Sequence, residues 1–186
     1  RVPGASIEVA DLVKLRRMLG IVRDVADYFA SHRDGESQRS PFPGLDTTAI
    51  SLPDFTALRS EIDRTIDKYG NVLDNASPEL ADIRRQLRGI SGTINSIMRK
   101  VVARAIAEGY VEADATPTLR DGRLVLPVAP ANKRRVAGIV HDESASGKTV
   151  FIEPAEVVEA NNRVRELEMD ERREIARIMS AIVADM

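Results

Sequence analysis

The sequence predicts a mainly α-helical chain with a small antiparallel β-sheet, an α+β fold in which long helices carry an inserted four-stranded sheet. Three observations carry this expectation. Apolar residues recur at alternating steps of three and four along separate stretches, which is the period of one helix face. Between residues 118 and 152 that period is lost, and short apolar runs flank turn residues instead. Charged residues make up 30% of the 186 and aromatics only 4%, while 43% are hydrophobic. Such a balance suits long amphipathic helices better than a thick globular core, and it disfavours disorder.

The first helix is expected from about Ser6 to about Phe29. Ser6 is its candidate cap, and Glu8 suits the positive end of its dipole. Leu12, Leu15, Leu19, Val22, Ala26 and Phe29 form a coiled-coil-like seam. Ser31 to Leu52 reads as a connector, broken by Gly35, Pro41, Pro43 and Gly44, with Phe42 and Leu45 packing locally. A shorter helix is expected from about Pro53 to about Ile66, with Phe55, Leu58, Ile62 and Ile66 on one face. Lys68-Tyr69-Gly70-Asn71 reads as a turn. The third helix has Ser77 as cap, Pro78 as its first residue and Gly109 as its stop. Its seam is Leu80, Ile83, Leu87, Ile90, Ile94, Ile97 and Val101, and it spans roughly 45 Å at 1.5 Å per residue. Gly89 and Gly92 lower local helix preference within it.

Thr118-Leu119-Arg120 and Arg123-Leu124-Val125-Leu126 flank Asp121-Gly122, a strong two-residue hairpin signal. Val136 to His141 and Thr149 to Ile152 make a second pair of strands around Ser144-Ala145-Ser146-Gly147. The simplest topology is a four-stranded antiparallel meander. A last helix follows Glu153-Pro154 and pairs antiparallel with the third. Its seam of Val157, Ala160, Val164 and Leu167 is interrupted at Glu171 and resumes at Ile175, Ile178 and Ile182. The dense charge around Glu171 and Glu174 reads as a solvated face with i,i+4 pairs.

Several kinds of chemistry fall away. The chain has no Cys, so disulfides, thiolate metal sites and a Cys nucleophile are excluded, and a reducing compartment suits it. With only His32 and His141, a multi-histidine metal site is impossible within one chain. No apolar run reaches about 18 residues, so no membrane-spanning helix is expected. A start at Arg1 without a signal-peptide core, and an end at Met186 inside a helical pattern, read as a piece of a longer protein. Gly147-Lys148-Thr149 resembles the end of a phosphate-binding loop, but Asp142 stands where its first Gly belongs and a strand follows where a helix is needed. In His141-Asp142-Glu143, alternation along a strand keeps the three side chains from converging on one ion. No catalytic residue, metal site or cofactor site is therefore expected in these residues.

Charge is more informative regionally than in total. The net charge is -2, yet Ala115 to Val150 holds six bases against three acids, and Phe151 to Met186 holds five bases against nine acids. The sheet is basic in an acidic chain. Arg120, Arg123, Lys133, Arg134, Arg135 and Lys148 are candidate phosphate contacts, with Ser146 small enough to admit a backbone. Basic residues also solubilise sheet edges, and composition leaves both readings open. In a meander, Arg120, Arg123, Ser146 and Lys148 would lie at the distal end, with Lys133 to Arg135 as a shoulder near the helices. No aromatic cluster accompanies them, so base stacking is not indicated.

Three stretches together resemble a known family. They are Asp121 to Val128 (DGRLVLPV), Gly138 to Pro154 (GIVHDESASGKTVFIEP) and Asn161 to Leu167 (NNRVREL), with Asp74 to Leu80 (DNASPEL) before the long helix. This pattern is similar to the second-type bacterial MutS paralogue, the MutS-two branch, over essentially the whole chain. The resemblance implies lever helices over 1–108 with the connector 31–52, a β clamp over 109–154, and a returning lever helix over 155–186. It implies a homodimeric, cytoplasmic parent protein that clamps branched DNA and restrains recombination, or engages ribosomal RNA when collided ribosomes are rescued. A purely structural coiled-coil interaction module is the remaining alternative. ATP and Mg would belong to the parent's ATPase domain, and nuclease activity to its Smr domain. Neither motif occurs in these residues.

Overall fold

The computed structural model describes residues 7–32, 44–45 and 53–184. Four helices are seen among them: α1 (Val9–Ser31), α2 (Thr56–Thr65), α3 (Pro78–Ala107) and α4 (Val158–Ala184). Strands β1 (Thr118–Arg120), β2 (Arg123–Val128), β3 (Gly138–Glu143) and β4 (Val150–Pro154) lie between α3 and α4. The α+β class expected from the sequence is thus observed. The chain divides into two compact units, Arg1–Ala81 with Arg173–Met186, and Asp82–Arg172, the divisions falling inside α3 and α4.

The first unit has its own core. Leu12 and Leu19 of α1, Ile62 of α2, Ile66, Val72, Leu80, and Ile178, Met179 and Ile182 of α4 pack together. The expected seam of α1 therefore faces inward at Leu12 and Leu19, while Met18, Ile21, Val25 and Tyr28 form a second, exposed stripe. The expected cap Ser6 and the apolar Phe42 lie outside the described residues. Leu45 is exposed, against the expectation that it packs locally. The second helix starts three residues later than expected. The Asp54 carboxylate accepts the Thr56 N–H at 2.8 Å, an Asx turn that holds the chain out of the helix until Thr56. Ile66 is already extended and bridges Val72 across the expected turn, where Asp67 accepts from the Tyr69 and Asn71 amides.

Helix α3 is capped as its sequence predicts. Ser77 Oγ accepts the Leu80 N–H at 3.0 Å, and the same hydroxyl donates to Glu174 at 2.6 Å. Its far end closes in a Schellman motif. The Tyr110 N–H reaches Ala105 O at 2.8 Å and the Gly109 N–H reaches Ile106 O at 3.0 Å, with Gly109 at a positive φ. Glu174 does not belong to a solvated face, as the charge pattern led us to expect. It is buried, bonded to Ser77 and to Arg177, and those donors hold its carboxyl below the ordinary range despite burial. Ser77→Ala removes a cap and one of these donors together. We expect it to cost about 2 kcal/mol in urea unfolding. A loss below about 0.5 kcal/mol would show that the cap is replaced by solvent.

In the second unit α3 and α4 run antiparallel. Arg84 pairs with Glu171 at 2.7 Å, Arg163 donates to Gln86 at 3.2 Å, and Ile94 and Met98 meet Val157. Glu171 interrupts the apolar seam because Arg84 sits opposite it. Before α4 the chain makes a short 3₁₀ turn over Ala155–Val157.

The sheet is not the meander the sequence led us to expect. Its strand order is β1-β2-β4-β3, all neighbours antiparallel. β4 is buried throughout and takes the centre, while β3 is exposed along most of its length and takes the edge. The physical reason is burial: Val150-Phe151-Ile152 is a continuous apolar run that needs cover on both faces, whereas Gly138 to Glu143 carries polar groups. β3 consequently runs parallel to β2. The connection 129–137 has to travel the length of the sheet, with Val136 buried in its core.

Candidate nucleic-acid interface

The two-residue hairpin predicted at Asp121-Gly122 is present. Arg120 pairs with Arg123, and Asp121 and Gly122 both have positive φ, as a type I′ turn requires. The register then fixes which turns share an end. Val128 and Glu143 are both partners of Val150, so the turn after β2 and the turn between β3 and β4 lie at one end. Asp121-Gly122 lies at the other. Helix α3 follows the sheet between these ends. Its Ile94 and Met98 pack near Leu124, its Val101 and Ala105 pack with Val128 and Val150, and Tyr110 beyond its cap receives a 3.0 Å hydrogen bond from Asn132.

This corrects the expected placement of the basic residues. Lys133 to Arg135 do lie near a helix, beside the end of α3, but they share that end with Ser146 and Lys148 instead of standing opposite them; the Lys133 amide bonds Pro130 O there. Arg135 lies over the Tyr110 ring, 5.5 Å from its centre, which also puts it at this end. Lys133, Arg134, Arg135, Ser146 and Lys148 are all exposed there. Among the described residues Lys133, Arg134 and Lys148 make no ion pair. The carboxylates Glu112, Asp114 and Glu143 are exposed in the same part of the unit and moderate the field.

The β3–β4 turn is built by Ser144. Its N–H donates to Thr149 O at 2.8 Å, its Oγ accepts the Thr149 N–H at 3.0 Å, and its carbonyl accepts from the Gly147 N–H at 2.7 Å. Gly147 has φ +66. Thr149 leads directly into β4, so Gly147-Lys148-Thr149 has no helix N-terminus behind it and lacks the geometry of a phosphate-binding loop.

Arg120 and Arg123 are placed differently. Arg120 is exposed and crosses the sheet, with its guanidinium 4.2 Å from the Phe151 ring centre and 3.9 Å from Asp142. Arg123 lies at the opposite end, and its side chain is only 16% exposed. Its Nη1 donates to both oxygens of Glu153, at 2.8 and 3.0 Å, and its Nη2 to Asn162 Oδ1 at 2.6 Å.

Glu153 is the residue that sequence reasoning missed. Its side chain is 0% exposed, yet it carries a carboxylate. It accepts from Arg123 of β2, from His141 Nε2 of β3 at 2.5 Å and from Asn161 of α4 at 2.8 Å. Burial raises the carboxyl, but Asn161, His141 and Arg123 together outweigh it and hold it below the ordinary value. An ionised carboxylate donates nothing, so His141 Nε2 carries the hydrogen. A bulge between Val140 and Asp142 breaks the strict alternation expected of this strand and turns His141 toward Glu153. Among the described residues no group of three or more His, Asp or Glu could hold a metal ion, and no helix is long and apolar enough to cross a membrane. The one sequence signal for Glu153 was a carboxylate ending a wholly apolar strand, which demands buried donors.

Comparison with known proteins is consistent over most of the chain. It is 43% identical over 144 residues to the endonuclease MutS2 of Thermomicrobium roseum, covering 76% of this chain and 17% of that protein. It is 40% identical over 166 residues to the endonuclease MutS2 of Symbiobacterium thermophilum, covering 88% of this chain and 21% of that protein. With the endonuclease MutS2 of Agathobacter rectalis it shares 35% identity over 179 residues, 96% of this chain and 22% of the relative. The chain thus spans about a fifth of the length of these relatives. No protein-family model matches it.

Proposed function

Because the chain is a segment of the MutS2 family, we propose that it is a nucleic-acid clamp held on lever helices, with Lys133, Arg134, Arg135 and Lys148 as its phosphate contacts. The observation that carries this reading is the gathering of these four exposed cations at one end of a sheet, none of them in an ion pair among the described residues. Ser146 and Gly147 beside Lys148 leave room for a phosphate backbone to approach. Among the described residues at this end, Tyr110 lies under Arg135 and Phe151 is buried in β4, so recognition runs through charge and shape rather than base stacking. Arg120 adds a secondary contact. Arg123, an expected contact, has its charge engaged by Glu153.

In this reading the whole protein acts as a homodimer on branched or recombining DNA in the bacterial cytoplasm. ATP binding in its ATPase domain moves the levers, and cleavage belongs to a separate nuclease domain. Ribosomal RNA offers the same phosphate chemistry and is the second substrate the reading admits. The test is binding of the intact protein to a four-way DNA junction over a salt series. Replacing Lys133, Arg134, Arg135 and Lys148 by Ala should weaken binding at least tenfold and reduce the salt slope by about 0.9 per lost contact. Unchanged affinity and slope would sink the assignment. Stronger competition by purified ribosomes than by junction DNA would make the ribosome the target. Binding of ribosomes that survives nuclease treatment would make the sheet a protein-docking module instead.

A further inference from the structure

We infer that Glu153 is a positioning residue, the joint that locks the sheet to the start of α4 and so sets where the basic end of the sheet is presented. Only the effect on binding rests on the reading of the sheet as a clamp; the joint itself stands on geometry.

One carboxylate gathers donors from three elements. Arg123 comes from β2, His141 from β3 and Asn161 from the first turns of α4. Arg123 doubles the connection by donating to Asn162 of the same helix turn. Asn161 is itself 2% exposed and also lies 3.4 Å from Leu124 O. The sheet and helix therefore meet through directional bonds at this end, where apolar packing alone would allow sliding and rotation. Lys148 and Lys133 sit at the far end of the same strands, so a small rotation at the joint moves them furthest. β3 is an edge strand, with only β4 beside it, and His141 is the side chain that ties it to the group. Its attachment therefore depends on the carboxylate more than that of β2 does.

A joint and a contact residue leave different marks. A phosphate contact, when removed, lowers the salt slope of binding by about 0.9. A joint, when loosened, weakens binding at every salt concentration and leaves the slope unchanged. The experiment compares wild type, Glu153→Gln and the milder Asn161→Ala in the intact protein, by amide hydrogen exchange and by junction-DNA binding across a salt series. Both variants should lose protection about tenfold or more in residues 138–143 and 159–163, and keep it in residues 94–105 of α3. Affinity should fall about three- to tenfold with an unchanged slope. Arg123→Gln should behave in the same way. Loss of protection spread evenly over the unit, or no loss in either variant, overturns the joint. So does a slope that falls by about one in Arg123→Gln, since Arg123 would then be a contact. If the wild type binds no junction DNA the clamp reading fails, and the exchange pattern alone still decides the joint.

Discussion

Gly138→Ala is expected to detach β3 from the sheet, at a cost of about 3 kcal/mol or more in urea unfolding. A Cβ built on Gly138 would overlap the Glu153 carbonyl oxygen and stand 2.9 Å from both the Glu153 carbonyl carbon and Ile152 Cγ2. Two of these are backbone atoms of the central strand and cannot rotate aside. Overpacking against side chains costs about 1–3 kcal/mol because side chains yield, and a clash with a strand backbone exceeds that range. The way out is for β3 to move off β4, which breaks the pairing of Gly138 with Pro154 and Ile139 with Glu153. The same movement draws His141 from the Glu153 carboxylate. Gly122→Ala is the control. Nothing lies within 4 Å of its Cβ, and its cost comes only from φ +75, so about 1–2 kcal/mol is expected. If Gly138→Ala costs no more than Gly122→Ala, the close approach of β3 to β4 is wrong.

The contrast between these glycines shows what a sequence carries locally. Asp121-Gly122 is legible because a type I′ turn needs two adjacent residues with positive φ, and few other pairs supply them. Ser77-Pro78 and Gly109 are legible for the same reason: a cap and a stop act within four residues. Strand order is different. It depends on whether the connection 129–137 returns beside β2 or travels past the place of β4, and no short-range rule decides that. Burial of the apolar β4 settles it, together with Val136, which anchors the connection in the core. The error in strand order carried the site with it, because a meander puts Asp121-Gly122 and Ser144 to Lys148 at one end. The observed order separates them and brings Lys133 to Lys148 instead. Arg123 read as a surface cation because its partner Glu153 is 30 residues away along the chain. The exposed stripe of α1 escaped notice because one seam already accounted for that helix.

Glu153→Leu alone is expected to be the most damaging side-chain truncation in the sheet, and Arg123→Met should rescue much of it. The single change leaves the Arg123 guanidinium largely buried with no carboxylate, a situation that costs about 3–5 kcal/mol. Removing both charges together replaces the pair by apolar groups of similar volume, which elsewhere is close to neutral in stability. His141 and Asn161 still lose an acceptor, so recovery should stop short of the wild type, at about half the loss or more. Acid provides a second check with a definite sign. The carboxyl of Glu153 is depressed in the folded protein, so its contribution is complete above the ordinary glutamate value of 4.5 and is lost as pH falls through the lower folded value. Glu174 is depressed too and contributes in the same direction. The double variant should therefore lose less stability than the wild type between about pH 5 and pH 3, keeping only the part that belongs to Glu174 and the surface carboxylates. Urea midpoints measured at those two pH values decide the matter. A double variant no more stable than Glu153→Leu, with an acid loss equal to that of the wild type, would mean that the cost lies in the shape of the site. The charge of Glu153 would then have no part in holding β2, β3 and α4 together.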